Sequence, residues 1–426
     1  MRLIDLAPFL PIAAFIFAPL ACSSSSGDDG VAADNDGGDQ GDDGGDTTGD
    51  GGTKKDASGP FTPGPHPGFP QVPNNGGGAI SNPRVVTIVP QNESTTGLSG
   101  FAAAFMASNT WKSVDTEYGL GAAGTPINLA PATTMTGDQT NTAIEQYIQT
   151  TVNATSGADP DGHTIYLVFL PAAAYIDGDQ GCQTQGIGGY HTVFDGNVGS
   201  TFQSSAVWGV VQHCTGTAGE GLTDAQWATI AASHEIVEAA TDYDGYSGYA
   251  FPQASGSPPS FNIWDDVFLT ELGDLCVQTQ ITEGAYTYQR MWSNKAAANA
   301  MDPCAPSITP YFNTGAIGGD SNGWFSTSGG SVTIPLEAFS NVAVDDWVVE
   351  AVLGESTQSG WSGNVVTPGG TPAQRKINNN QKGTFTVTAP AGAGSGSYAI
   401  FELASISTTA TTGEFAHIWP IGVKVP

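Results

Sequence analysis

The sequence predicts an α/β domain, a mixed sheet with helices, followed by an all-β sandwich domain. Three observations carry this. Arg84–Val89 and Thr164–Leu170 are continuous apolar runs of strand length, as expected of strands covered on both faces. Helical candidates lie between and after them. Beyond Cys304 helical periodicity stops, and short strand-like segments alternate with Gly, Ser and Thr.

Two segments precede the first predicted strand. Residues 1–21 carry Arg2 and a proline-broken apolar run that suits a signal-peptide core and is too short for a stable membrane span. The run ends in Pro19-Leu20-Ala21-Cys22, which resembles a lipobox, with Pro19 where an aliphatic residue is usual. The expectation is a lipoprotein signal peptide and a lipid anchor on Cys22, giving an outer-membrane or cell-surface lipoprotein; an ordinary leader would instead release a soluble secreted chain. Residues 27–59 hold ten aspartates, two lysines and many glycines. So little apolar surface cannot offset the entropy of ordering. With the proline-rich stretch 60–75, residues 22–75 therefore read as a disordered tether. Its aspartates read as a solvated spacer rather than a calcium site.

The α/β domain is expected over residues 80–306. After the strand at 84–89, helices are predicted near 98–108 and 138–152, the second with Ile144, Tyr147 and Ile148 at helical spacing. Gly189–Phe194 and Ala206–Val211 read as further strands. The clearest helix begins at Thr223, where Thr223-Asp-Ala-Gln226 fits a capping box, and runs to about Ala240. Residues 243–263, rich in Gly, Ser, Pro and Tyr, read as a long surface loop. The sandwich is expected over 307–426, with strands at Ser331–Leu336, Trp347–Val352, Thr384–Thr388 and Tyr398–Leu403.

A net charge of −30 with 11 basic residues excludes nucleic acid as a partner, because phosphate binding needs clustered Lys and Arg. Beyond Cys22 four cysteines remain, Cys182, Cys214, Cys276 and Cys304. In an exported chain they predict two disulfides; three pairings are possible, and Cys182–Cys214 with Cys276–Cys304 closes separate local loops.

The chemistry concentrates in Ser233-His234-Glu235-Ile-Val-Glu238-Ala-Ala-Thr241-Asp242. Positions four apart share a helical face, so His234 and Glu238 can converge on one ion, with Glu235 beside them as general base. This is the HExxH zinc helix with its second histidine replaced by glutamate, a weaker signal than the parent motif. Charge strengthens it. No Lys or Arg occurs from Ser113 to Gln289, a stretch holding twenty Asp and Glu. A buried carboxylate there must be protonated, be paired with a distant base, or bind a cation. Further ligand candidates are His191, Asp242, Glu271 and Asp274, with His213 weaker. His66 and His417 lie outside this domain. No Gly-x-Ser-x-Gly elbow occurs, and Asp242-Tyr-Asp244-Gly lacks the later glutamate of an EF-hand.

Four motifs, Gly189-Tyr-His191, Ser233–Asp242, Glu271-Leu-Gly-Asp-Leu-Cys276 and Gln289-Arg-Met-Trp-Ser-Asn294, resemble in order those of the Exordium/phosphate-induced family. The resemblance covers about residues 84–304 and implies a secreted protein with a His-Glu helix, disulfides and a metal; it implies no established reaction. Tyr243 stands where a proline often follows Thr-Asp, and the insert 243–263 departs from the pattern.

Two functions are compatible with these residues. The leading one is a zinc-dependent hydrolase, a metallopeptidase by analogy with other His-Glu helices. The other is a non-enzymatic surface module in which any ion is structural calcium and the tyrosine-bearing loop 243–263, with the β domain, binds a cell-surface glycan or a protein.

Overall fold

The computed structural model describes residues 60–158, 160–182, 188–194, 206–214, 222–245, 247–252, 260–277, 279–299, 301–369, 375–408 and 416–426. The leader, Cys22, the acidic stretch 27–59 and residues 246 and 253–259 of the long loop lie outside these. Two compact units divide the chain, Met1–Thr62 and Pro63–Pro426. All that follows concerns the second.

Its first sheet has five strands: β1 (Arg84–Ile88), β2 (Ile127–Leu129), β3 (Thr164–Phe169), β4 (Gly189–Val193) and β5 (Val207–Val211), in the order β2-β1-β3-β5-β4. The first four in that order run parallel, and β4 closes the edge antiparallel to β5. Burial explains the apolar runs, since every residue of β3 and β5 is buried. The predicted helix at 98–108 is α1 (Phe101–Ala107), and a second helix outside that prediction, α2 (Asn109–Asp115), follows it. Ser108 breaks them: its extended backbone ends the first, and its side chain accepts the Trp111 N–H to cap the second. The next helix, α3, spans Asn141–Asn153 behind an N-cap at Thr140. Strand β2 has no counterpart in the sequence reading, because three residues show no period.

The helix that carries the motif, α4, spans Asp224–Thr241, and both halves of the capping box form between Thr223 and Gln226. It lies on the sheet side shared with β3, β4 and β5, and against a hairpin of β6 (Gln280–Glu283) and β7 (Tyr286–Gln289). The segment after it is no plain surface loop. Ala250 and Phe251 are buried, and bridges join Tyr249 to Asn74 and Ala250 to Glu271. A short helix, α5 (Ile263–Phe268), ends the insert.

Two largely antiparallel sheets follow. One orders β8 (Phe312–Ala316), β10 (Ser331–Ser340), β14 (Lys382–Thr388) and β12 (Ser362–Val366) as β8-β10-β14-β12. The other runs β9 (Trp324–Ser326), β16 (Ala416–Lys424), β15 (Tyr398–Ser407), β11 (Trp347–Ser356) and β13 (Lys376–Ile377), with β9 parallel to β16. The expected division at 306/307 falls inside one unit, whose core continues across it: Trp264 and Trp292 of the first part meet Trp419 and Phe339 of the second around Phe69.

Phe69 also corrects the expected tether. Residues 60–75 were read as linker because proline dominates them, yet Phe69 and Val72 are buried, Asn294 bonds both backbone groups of Val72, and the Gly64 N–H reaches Asn379. Prolines stiffen this strap, and two apolar anchors suffice to dock it. The cysteines are joined as Cys182–Cys214 and Cys276–Cys304.

Candidate metal centre

From Glu235 to Thr241 helix α4 is buried on every face, polar residues included: Ser233, Glu235, Glu238 and Thr241 all lose nearly all contact with water. His234 and Glu238 stand one turn apart, with His234 Nε2 2.9 Å from Glu238 Oε2. The other oxygen of Glu238 is held from behind, since Oε1 accepts the backbone N–H groups of Gly273 and Asp274 at 3.0 and 3.1 Å. Oε2 is thereby turned towards the histidines.

Asp274 arrives on the turn Asp274–Cys276, which the Cys276–Cys304 disulfide ties down. Its Oδ1 lies 3.7 Å from His234 Nε2, while its Oδ2 accepts the N–H groups of Thr270 and Glu271. His191 comes from the edge strand β4, opposite Gly209 of β5. Its Nε2 donates to the Asp242 carbonyl at 2.9 Å; its Nδ1 lies 3.3 Å from Glu235 Oε2 and 3.9 Å from Glu238 Oε2.

Two three-residue donor sets result, His234–Glu238–Asp274 and His191–Glu235–Glu238, with Glu238 common to both. The remaining predicted ligands fall outside them. Asp242 is the C-cap of α4, and its Oδ1 accepts the Ser247 and Gly248 N–H groups. Glu271 Oε1 lies 3.6 Å from His191 Nε2. His213 is elsewhere, bonded to Glu93 at 3.0 Å. His66 and His417 pack among aromatic rings away from the cluster.

No Lys or Arg forms an ion pair with any of these carboxylates among the described residues. Arg290, the first base after the acidic stretch, is bonded to Asp302. Protons therefore take up the imbalance. Burial works against a charged His191, but Glu271, Glu235 and Glu238 outweigh it and hold the imidazole at about 10. His234 is likewise raised, against burial, by Glu238, Glu235 and Asp274. Burial, then the charge on Glu238, pushes Glu271 well up and Asp274 to about 7. Glu238 is lowered, because His234 and His191 overcome its burial.

A cation fits this donor set. Two imidazoles and several carboxylates suit a divalent transition ion, and two buried oxygens, Glu271 Oε1 and Asp242 Oδ2, have no hydrogen-bond partner. The space is shaped by backbone as well. A Cβ on Gly273 would sit 2.7 Å from both Glu238 Oε1 and His234 Nδ1, and one on Gly189 would sit 2.9 Å from Glu235 Oε1. Gln289, at the end of β7, donates from Nε2 to the Gly273 carbonyl at 2.7 Å, and its amide lies 2.9 Å from His234 Nδ1. With an ion on Nε2, Nδ1 would carry the proton and the amide would turn its oxygen to it. Gln289, Gly273 and Gly189 all stand within the sequence motifs, but no residue type marks them as part of a site.

No protein-family model matches the chain, and no curated protein matches it. Among solved structures, metalloproteinase-II from Bacteroides fragilis aligns over 45% of this chain and 53% of its own, at 13% identity and a TM-score of 0.22. The chain thus spans about half the length of that protein, and a superposition this loose carries no argument about fold or activity.

Proposed function

We propose that this centre makes the chain a metal-dependent hydrolase, with zinc as the cation and peptide bonds as the substrate class. The observation that supports the reading is the convergence of His234, Glu238 and Asp274 within a buried group of carboxylates that no Lys or Arg balances. His234, Glu238 and Asp274 would hold the ion, which when bound supplies Lewis acidity towards a carbonyl and lowers the pKa of a water. Glu235, buried beside them, would serve as general base towards water and then as general acid towards the leaving amine. Gly273 lets the backbone close over His234 and Glu238, so both are positioned before substrate arrives.

In the same reading the chain is an exported lipoprotein anchored through Cys22, a relative of the Exordium-like proteins, and its two C-terminal sheets form an accessory β-sandwich. The test is elemental analysis of protein purified without added metal, together with peptide hydrolysis before and after chelation. Zinc at the His234–Glu238–Asp274 position, and a Glu235→Gln variant that keeps zinc at that position while losing about 10²–10⁴-fold in rate, is the expected result. A metal-free protein, or hydrolysis indifferent to His234→Ala, overturns it.

A further inference from the structure

We propose that the centre has places for two divalent cations, the second held by His191, Glu235 and Glu238, with Glu238 as the ligand they share. This rests on the hydrolase reading only for the first ion.

Geometry supplies the first reason. Glu238 Oε2 is the nearest Glu238 atom to both histidines, 2.9 Å from His234 Nε2 and 3.9 Å from His191 Nδ1. Its Oε1 is committed to two backbone N–H groups, so one carboxylate oxygen faces both donor sets. His191 is fixed the same way. Its Nε2 is taken by the Asp242 carbonyl, which leaves Nδ1 as the nitrogen that faces the oxygens of Glu235 and Glu238. With no ion bound, a proton on Nδ1 sits among these oxygens; a cation held by the same three groups would take its place. Metal-binding histidines commonly have this arrangement, with the distal nitrogen donating to a carbonyl.

Charge supplies the second. Glu235, Glu238, Asp242, Glu271 and Asp274 form one electrostatically connected group, with His191 and His234 among them and no Lys or Arg partner among the described residues. With all five ionised, a single divalent ion at the first position leaves three negative charges to be met by protons in a buried site; two ions leave one. Asp242 is fully buried, its Oδ2 has no hydrogen-bond partner, and its carboxylate is close enough to His191 for each to act on the other's charge. In the two-ion centre Glu235 contributes Oε2 as a ligand. Its Oε1, in the space left by Gly189, remains to accept a proton.

The experiment titrates the metal-free full chain with zinc, and separately with manganese(II), reading equivalents bound by calorimetry and, for manganese, the electron paramagnetic resonance spectrum. The wild type should bind two equivalents and give an exchange-coupled manganese signal. His191→Asn and Glu235→Gln should each bind one zinc and give an uncoupled signal, while His234→Ala should lose the other equivalent. Two variants on different elements guard against one that fails to fold, and both disulfide-bonded variants are compared by near-ultraviolet circular dichroism. Saturation of the wild type at one equivalent, unaltered in His191→Asn, removes the second position and leaves the hydrolase reading standing. No binding at all removes both.

Discussion

Glu238 Oε1 accepts the Gly273 N–H at 3.0 Å, and the absence of a side chain on Gly273 is what permits it. A methyl group there would lie 2.7 Å from that oxygen and from His234 Nδ1. Gly273→Ala must therefore push the turn away from α4. The expected effect is about 1–3 kcal/mol of stability and at least a tenfold weaker zinc affinity, measured by thermal denaturation and competition with a chelator. Unchanged zinc affinity would show that the turn does not set the position of Glu238.

The strap at 63–75 makes a second prediction. Phe69 stands within 6.0 Å, centroid to centroid, of Trp264, Trp292, Phe339 and Trp419, and bridges the two parts of the unit. Phe69→Ala should cost about 3–5 kcal/mol, and limited proteolysis should leave a fragment beginning near Pro63 rather than near residue 76. A trimmed fragment starting at residue 76 with an unaltered melting temperature would show the strap to be dispensable.

His417 gives a pH dependence. Burial, then the charge of Arg290, lowers its pKa to about 3, against about 6.5 in an unfolded chain. Between those values the unfolded chain binds a proton that the folded chain refuses. Stability from this group is thus complete above about pH 6.5 and is lost as pH falls towards 3, at up to ~1.4 kcal/mol per pH unit. His417→Phe removes the dependence and keeps the ring contacts with Tyr311 and Phe312. The variant should gain on the wild type in urea denaturation between pH 7 and pH 4; a constant difference would contradict the assignment.

The Cys276–Cys304 disulfide closes a loop across 28 residues and ends the turn that presents Asp274. Replacing both cysteines with serine should cost about 3–4 kcal/mol and weaken zinc binding. Removing Cys182–Cys214 should cost a similar stability but leave zinc affinity unchanged, because neither cysteine adjoins a donor.

What the sequence determined by itself was local. The capping box at Thr223 and Gln226 fixed where α4 starts, and the helical repeat then put His234 and Glu238 on one face whatever lay around them. The buried strands were legible for the same reason, as unbroken apolar runs. Only the tertiary structure decided the rest. Asp242 and Asp274 are the same residue type, yet Asp242 spends an oxygen on the Ser247 and Gly248 N–H groups beyond its helix while Asp274 is turned towards His234. That choice depends on a bridge between Ala250 and Glu271 and on a disulfide. His191 reaches the helix only because β4 pairs antiparallel with the next strand, β5, at the edge of the sheet, a register that no local pattern encodes. Proline content misplaced the start of the folded unit because docking needs only two buried anchors, Phe69 and Val72, and composition averages them away.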